Sequence, residues 1–363
     1  MSSSPDIRQL VYKLFAVSLS IVAALSAQAR ERWSVEQANA WQSSNPWFVG
    51  ANYIPANAIN QLEMWQAETF DPATIDRELS WAQATGMNAM RVFLHDLLWQ
   101  QDPKGFTARI QRFLDIAQRH RIRVLFVIFD SVWDPEPKLG PQHPPIPGVH
   151  NSGWVKSPAL SALADPRQEP RLEAYVKGVV AAFARDERII GWDVWNEPAH
   201  EARVQFLITQ AFDWARSVNP TQPLTSGVCC NGGWAQGKPD ALESIQLNQS
   251  DVLSFHDYNW PEKMEAEIVR LKAYGRPLLC TEYLARGAGS TFEGALPIGK
   301  REKIGMFNWG LVDGKTQTRL PWDSWQRPYV TTQPPVWHHD IFHADGTPYR
   351  QAEVDLIRRL TAQ

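Results

Sequence analysis

The sequence predicts a fold of the α/β class, a single (β/α)8 TIM barrel, and three observations carry that expectation. From Arg30 onward, short apolar runs alternate with amphipathic stretches, the pattern of βα units wound around a parallel sheet. The run Arg123 to Phe129 is almost wholly apolar, as suits a strand covered on both faces. No low-complexity linker or repeat visible by residue identity divides the 363 residues, a length that such barrels reach as one domain.

Taken in order, the first strand is expected at Trp47–Tyr53 and its helix at about 71–85, with Asp71 as N-cap and Pro72 in the first turn. The second strand is Met87–Leu94, with a helix ending near Arg119, and the third is Arg123–Phe129. A Pro-rich segment, Asp134–Glu169, precedes a helix at about Pro170–Arg185. The fourth strand is Ile189–Trp195, with a helix over Ala202–Val218, and the fifth is Pro223–Cys229. The sixth is Val252–His256, with a helix over Pro261–Tyr274. The seventh strand is Pro277–Thr281, the eighth is Lys303–Trp309, and a last amphipathic helix covers about Gln351–Leu360. The segments after strands three and eight are too long for plain connections and read as walls or lids of a site at the C-terminal strand ends.

The N-terminus reads as an export signal over residues 1–29. Arg8 and Lys13 precede the apolar run Leu14–Leu25, and Ala27-Gln28-Ala29 is a small-x-small cleavage pattern. The apolar run falls short of the roughly 20 residues of a spanning helix, so residues 30–363 are expected as an exported domain, periplasmic or extracellular, free of the membrane. An uncleaved anchor is the alternative. A formal charge of −3 leaves no basic footprint for nucleic acid. Seventeen Trp residues suggest flat faces kept for sugar rings, although about half of them suit ordinary packing. The three cysteines, Cys229, Cys230 and Cys280, are too few and wrongly spaced for a disulfide framework or a zinc site. Cys280 reads as a buried thiol, and a vicinal bridge between Cys229 and Cys230 is not expected.

Two strand ends carry carboxylates. Strand four closes with Trp192-Asp193-Val194-Trp195-Asn196-Glu197-Pro198, and strand seven with Leu278-Leu279-Cys280-Thr281-Glu282-Tyr283. A pair of carboxyl groups facing each other across a barrel mouth suits glycoside hydrolysis, where one protonates the leaving oxygen and the other attacks or activates water. With Arg91 on strand two, Phe255-His256-Asp257-Tyr258 after strand six and Trp309 ending strand eight, the chain resembles clan A glycoside hydrolases, closest to family 5, the cellulase-like family. The resemblance covers nearly all of residues 30–363.

It implies a retaining β-glycosidase without cofactor or metal, with Glu197 as acid/base and Glu282 as nucleophile, acting on an oligosaccharide or polysaccharide. It further implies that Asn196 binds the sugar 2-hydroxyl, that Arg91 and Tyr258 hold Glu282 ionised, that His256 orients Glu197, and that Trp309 is the platform under the reacting sugar. The expected pKa of Glu197 is raised by partial burial and by the charge of Glu282. One departure stands out: family 5 usually has His at the end of strand three, where this chain has Phe129, and His95 is the candidate to compensate. Structural alternatives stand beside these roles: Arg91 as a core ion-pair residue, Trp309 as a barrel cap, and His256 as a core histidine. Trp192 and Trp195 read as packing.

The loop residues Trp133, Trp154, Trp322, Trp325 and Trp337 are expected to narrow the cleft toward short oligosaccharides or chain ends, and His338 and His339 read as a solvated loop pair. The sugar is left as gluco-, manno- or xylo-configured, the oligomeric state is undetermined, and transglycosylation shares the same intermediate. Two other classes stay open: a silent carbohydrate-binding protein on the same fold, and a metal-dependent barrel hydrolase.

Overall fold

The computed structural model describes residues 29–230 and 232–362; the expected export signal falls on residues 1–29, all but the last of them outside the described residues. Eight strands alternate with helices: β1 (Val49–Asn52), β2 (Ala89–Phe93), β3 (Arg123–Asp130), β4 (Ile189–Asn196), β5 (Leu224–Thr225), β6 (Leu253–His256), β7 (Leu278–Tyr283) and β8 (Gly305–Trp309). Parallel pairing runs in the order β5-β4-β3-β2-β1-β8-β7-β6. A parallel bridge between Val228 and Phe255 joins the two remaining edges and closes the ring. This is the (β/α)8 barrel that the alternation predicts.

Alternate residues of each strand face inward. Ala89, Leu125, Ile190, Val252, Leu279 and Phe307 pack into one cluster of their own, the apolar plug of the barrel. The N-terminal helix Val35–Ser43 adds Ala38 and Trp41 to that plug. The larger cluster lies between strands and helices, where Phe106, Ile110, Phe113, Leu114 and Ala117 form the buried stripe of the helix Pro103–Arg119. Asp71 accepts from the backbone N–H of Ala73 and Thr74 and starts the helix Pro72–Ala84.

Among the described residues, three helices of nine residues or more lie where none is predicted. Val35–Ser43 and Ala241–Gln249 are short, and each is started by a capping box, Ser34 with Gln37 and Asp240 with Glu243. Phe292–Glu302 carries Pro297 in its interior, which reads locally as a breaker but is tolerated against the packed sheet. Strand β5 covers only Leu224–Thr225 rather than Pro223–Cys229. Among the described residues, no helix is long and apolar enough to cross a membrane.

Candidate active site

Arg91 organises the barrel mouth. Fully buried on β2, it donates from Nη1 to Glu282 Oε1 (2.9 Å) and Asn52 Oδ1 (2.8 Å). It also donates from Nε and Nη2 to Asp193 Oδ2 (3.1 and 2.8 Å), and from Nη2 to Asn196 Oδ1 (2.7 Å). One guanidinium therefore ties the ends of β1, β4 and β7 together, which is possible because its planar fork offers five donors in fixed directions.

Asn196 ends β4, and Glu197 follows it with φ +41°, a left-handed conformation unusual for a residue with a side chain and concentrated at functional sites. Glu197 Oε1 lies 2.9 Å from His256 Nδ1, and Glu282 Oε2 lies 3.5 Å from the same nitrogen. The Tyr258 hydroxyl donates to Glu282 Oε2 at 2.8 Å. A carboxylate oxygen of Glu197, one of Glu282 and a ring nitrogen of His256 all lie within 4.8 Å of one another. Trp309 stands edge-on to Phe93 and Trp154 beside this group, and Gly310, with φ +77°, turns the chain away where a side chain would meet Asp340.

Burial raises the carboxyl of Glu197, with the charge of Arg91 opposing. Burial also raises Glu282, with His256, Arg91 and the Tyr258 hydroxyl pulling down and Glu197 adding to the rise. His256 is depressed to about 4 by burial, so its ring is neutral at ordinary pH. Burial and the two carboxylate charges push Tyr258 well above its usual value, so it remains a donor.

These residues face a cleft of about 460 Å³, lined among others by Asn196, Glu197, Tyr258, Glu282, Trp154 and Trp309. Arg91 and His256 lie beneath its surface. His95 is elsewhere: it is buried, accepts from the Leu97 backbone N–H, pairs with Asp96 at 3.2 Å and does not line the cleft. It caps the helix Asp96–Gln101 and supplies no replacement for the missing strand-three histidine.

Phe129 is core, packed on Tyr175 and Trp195. The next residue, Asp130, reaches the site: it accepts from Asn196 Nδ2 (2.9 Å) and Trp154 Nε1 (2.6 Å), and burial lifts it to about 7. A carboxylate closing an apolar strand was a visible signal for it. Asn52 and Asp193, both hidden within strands, had no comparable signal.

Two other expectations are corrected. Cys229 and Cys230 are joined as a vicinal disulfide, whereas Cys280 is the buried free thiol expected. His338 and His339 are buried rather than solvated, 4% and 0% exposed, because Trp322 and His150 pack over them. Trp192 and Trp195 are packing residues, as expected. Among the described residues, two groups bring possible metal ligands together: Glu197 with His256 and Glu282, and Glu197 with Cys229 and Cys230. The second offers no thiolates while the bridge is closed.

No family model matches the chain, and no curated protein matches it. Solved structures do. A GH5_18 protein from Streptomyces cattleya, in complex with Manβ1-4GlcNAc, is 12% identical with a TM-score of 0.57, over 86% of this chain and 80% of its own. An exo-β-1,4-mannosidase from an Opitutaceae bacterium is 19% identical with a TM-score of 0.59, over 86% of this chain and 59% of its own. An endo-β-1,4-glucanase from Xanthomonas axonopodis is 13% identical with a TM-score of 0.56, over 87% of this chain and 99% of its own. The likeness is one of fold, and the (β/α)8 barrel implied by the sequence resemblance is the fold these proteins share with the chain.

Proposed function

We propose that the protein is an exported retaining β-glycosidase that hydrolyses β-linked oligosaccharides by double displacement, with Glu197 as acid/base and Glu282 as nucleophile. The observation that carries this reading is that one oxygen of Glu197 and one of Glu282 lie within 4.8 Å of each other, both against the same His256 nitrogen. Retaining enzymes hold theirs about 5–5.5 Å apart, whereas inversion needs roughly 6.5–9.5 Å to admit a water. Both groups are raised by burial, but of the two only Glu282 accepts hydrogen bonds from Arg91 and Tyr258, so a single shared proton rests on Glu197. A neutral His256 donating from Nδ1 occupies Glu197 Oε1 and leaves Oε2 to carry that proton toward the leaving oxygen.

In the first step, a Glu282 oxygen bonds to the anomeric carbon while the glycosidic oxygen departs with the Glu197 proton. In the second, Glu197 takes a proton from water as the water oxygen displaces Glu282. Asn196, fixed by Arg91 and Asp130, meets the sugar 2-hydroxyl in this reading. Trp309 offers its face beneath the ring.

The neighbours that share the fold include an exo-β-1,4-mannosidase, an endo-β-1,4-glucanase and a protein in complex with Manβ1-4GlcNAc, which favours gluco- or manno-configured substrates. The long loops favour short substrates or chain ends. Tyr329 N–H donates to the Gly148 carbonyl, Asn151 N–H to the Thr316 carbonyl and His150 N–H to Ser324 Oγ, knitting the two loops into one wall. Trp133 and Trp325 meet across it, with ring centroids 5.6 Å apart.

The test is hydrolysis of aryl β-glucoside, β-mannoside and β-xyloside and the matching β-1,4-disaccharides, beside Glu197→Ala and Glu282→Ala. Turnover lost in Glu282→Ala, and partly restored by azide in Glu197→Ala, is the expected result. Glycan binding that survives in Glu282→Ala, with no turnover in the wild type, would instead identify a binding protein.

A further inference from the structure

We propose that the Cys229–Cys230 disulfide is the contact surface for the leaving-group sugar, an inference that rests on the glycosidase reading. The acid must come within about 3 Å of the glycosidic oxygen to protonate it. Cys230 Sγ lies 3.9 Å from Oε1 of that carboxyl group, the oxygen next to the proton-bearing Oε2, so the sulfur flanks the acid and lies within reach of the sugar attached to the departing oxygen. The position in the ring agrees. Trp309, under the reacting sugar, ends β8, whereas the cysteines follow β5, which pairs with β4 and its acid. Cys230 is exposed and lines the same cleft as Glu197, with Asn259 and Trp322.

The chemistry of the bridge suits a sugar face. Two thiols would bring ionisable, hydrogen-bonding groups beside the acid; a disulfide brings neither donor nor charge, only a polarisable apolar surface. Closing the bridge between adjacent residues also fixes the backbone there. Cys230 sits at φ +65°, and the Cys229 carbonyl is held by Trp234 Nε1 at 2.9 Å. The acid is thereby flanked by a rigid patch in place of a mobile loop, and the occupant it fits is the C–H face of a pyranose in the leaving position.

The experiment compares two substrates of the sugar that the protein accepts: its β-1,4-disaccharide and its β-glycosyl fluoride. The fluoride fills only the reacting subsite and needs no contact beyond the acid. Wild type, wild type opened with a phosphine reductant, and Cys229→Ser/Cys230→Ser are assayed, with thermal melting as the control of fold. Opening or removing the bridge is expected to lower kcat/KM for the disaccharide about tenfold, mainly through KM, a loss typical of one apolar contact. The fluoride should change far less. Equal losses on both substrates would make the bridge a structural clip, and no loss on either would make it a bystander; each result overturns the proposal. Fluoride that wild type fails to turn over would refute the glycosidase reading itself.

Discussion

Removing the Tyr258 hydroxyl tests how Glu282 is kept ionised. Tyr258 stays protonated, because burial and the neighbouring carboxylates raise it, and it donates to Glu282 Oε2 at 2.8 Å. A hydrogen bond to a charged group is worth about 1.5–3 kcal/mol. This bond stabilises the ionised form, so its loss raises the pKa of Glu282. At 1.36 kcal/mol per unit, the acidic limb of kcat/KM should move upward by about 1–2 units. Above that limb, kcat/KM should fall by about ten- to a hundredfold if the bond tightens as the nucleophile reacts. In Tyr258→Phe the edge contact with Trp322, centroids 5.1 Å apart, is kept, so melting should hardly change. The assay is a pH profile of kcat/KM on an activated aryl glycoside between about pH 4 and 8. A slower enzyme with its acidic limb unmoved would refute the reasoning, since the hydroxyl would then act on something other than the ionisation of Glu282.

Three further outcomes are expected. Asp130, lifted by burial to about 7, binds its proton more tightly folded than unfolded, where the value is about 3.9, so its ionisation removes stability as pH rises through that interval. In Asp130→Asn, melting against pH should lose that component, up to about 4 kcal/mol between pH 4 and 7, and activity should drop as Asn196 loses its anchor; an unchanged pH slope would contradict this. Exhaustive chelation should leave turnover intact, and loss restored by a divalent ion would show that the carboxylate–histidine group holds metal. A trisaccharide should be cleaved faster than a long soluble polymer, with little early fall in viscosity; equal rates with a rapid fall would mean that the loop wall does not restrict the cleft.

The parts legible in the sequence are those where one residue type has few other reasons to be present. Two carboxylates at strand ends, an arginine in the middle of an apolar strand and an aromatic closing the last strand all contrast with their surroundings. The structure places Glu197, Glu282, Arg91, His256, Tyr258 and Trp309 around one cleft mouth. Strand positions were legible because buried parallel strands are nearly unbroken apolar runs. Less legible were the features that depend on what packs on top. His95 and the pair His338 and His339 look like free polar groups in the chain, yet each is covered by neighbours distant in sequence. Asp130 is overshadowed by its neighbour Phe129, which stands where the family pattern has a histidine. The Cys229–Cys230 bridge depends on a left-handed backbone at Cys230, which no local composition signals.

Glu197 and Glu282, with an oxygen of each within 4.8 Å of the other, are proposed to perform two successive displacements at one carbon. The most direct test is proton NMR of the first sugar released from an aryl β-glycoside, recorded before mutarotation. The β-anomer as the initial product, with none formed by Glu282→Ala, is the expected result. The α-anomer as the initial product would mean a single displacement by water, and would contradict the assignment of Glu282 as nucleophile.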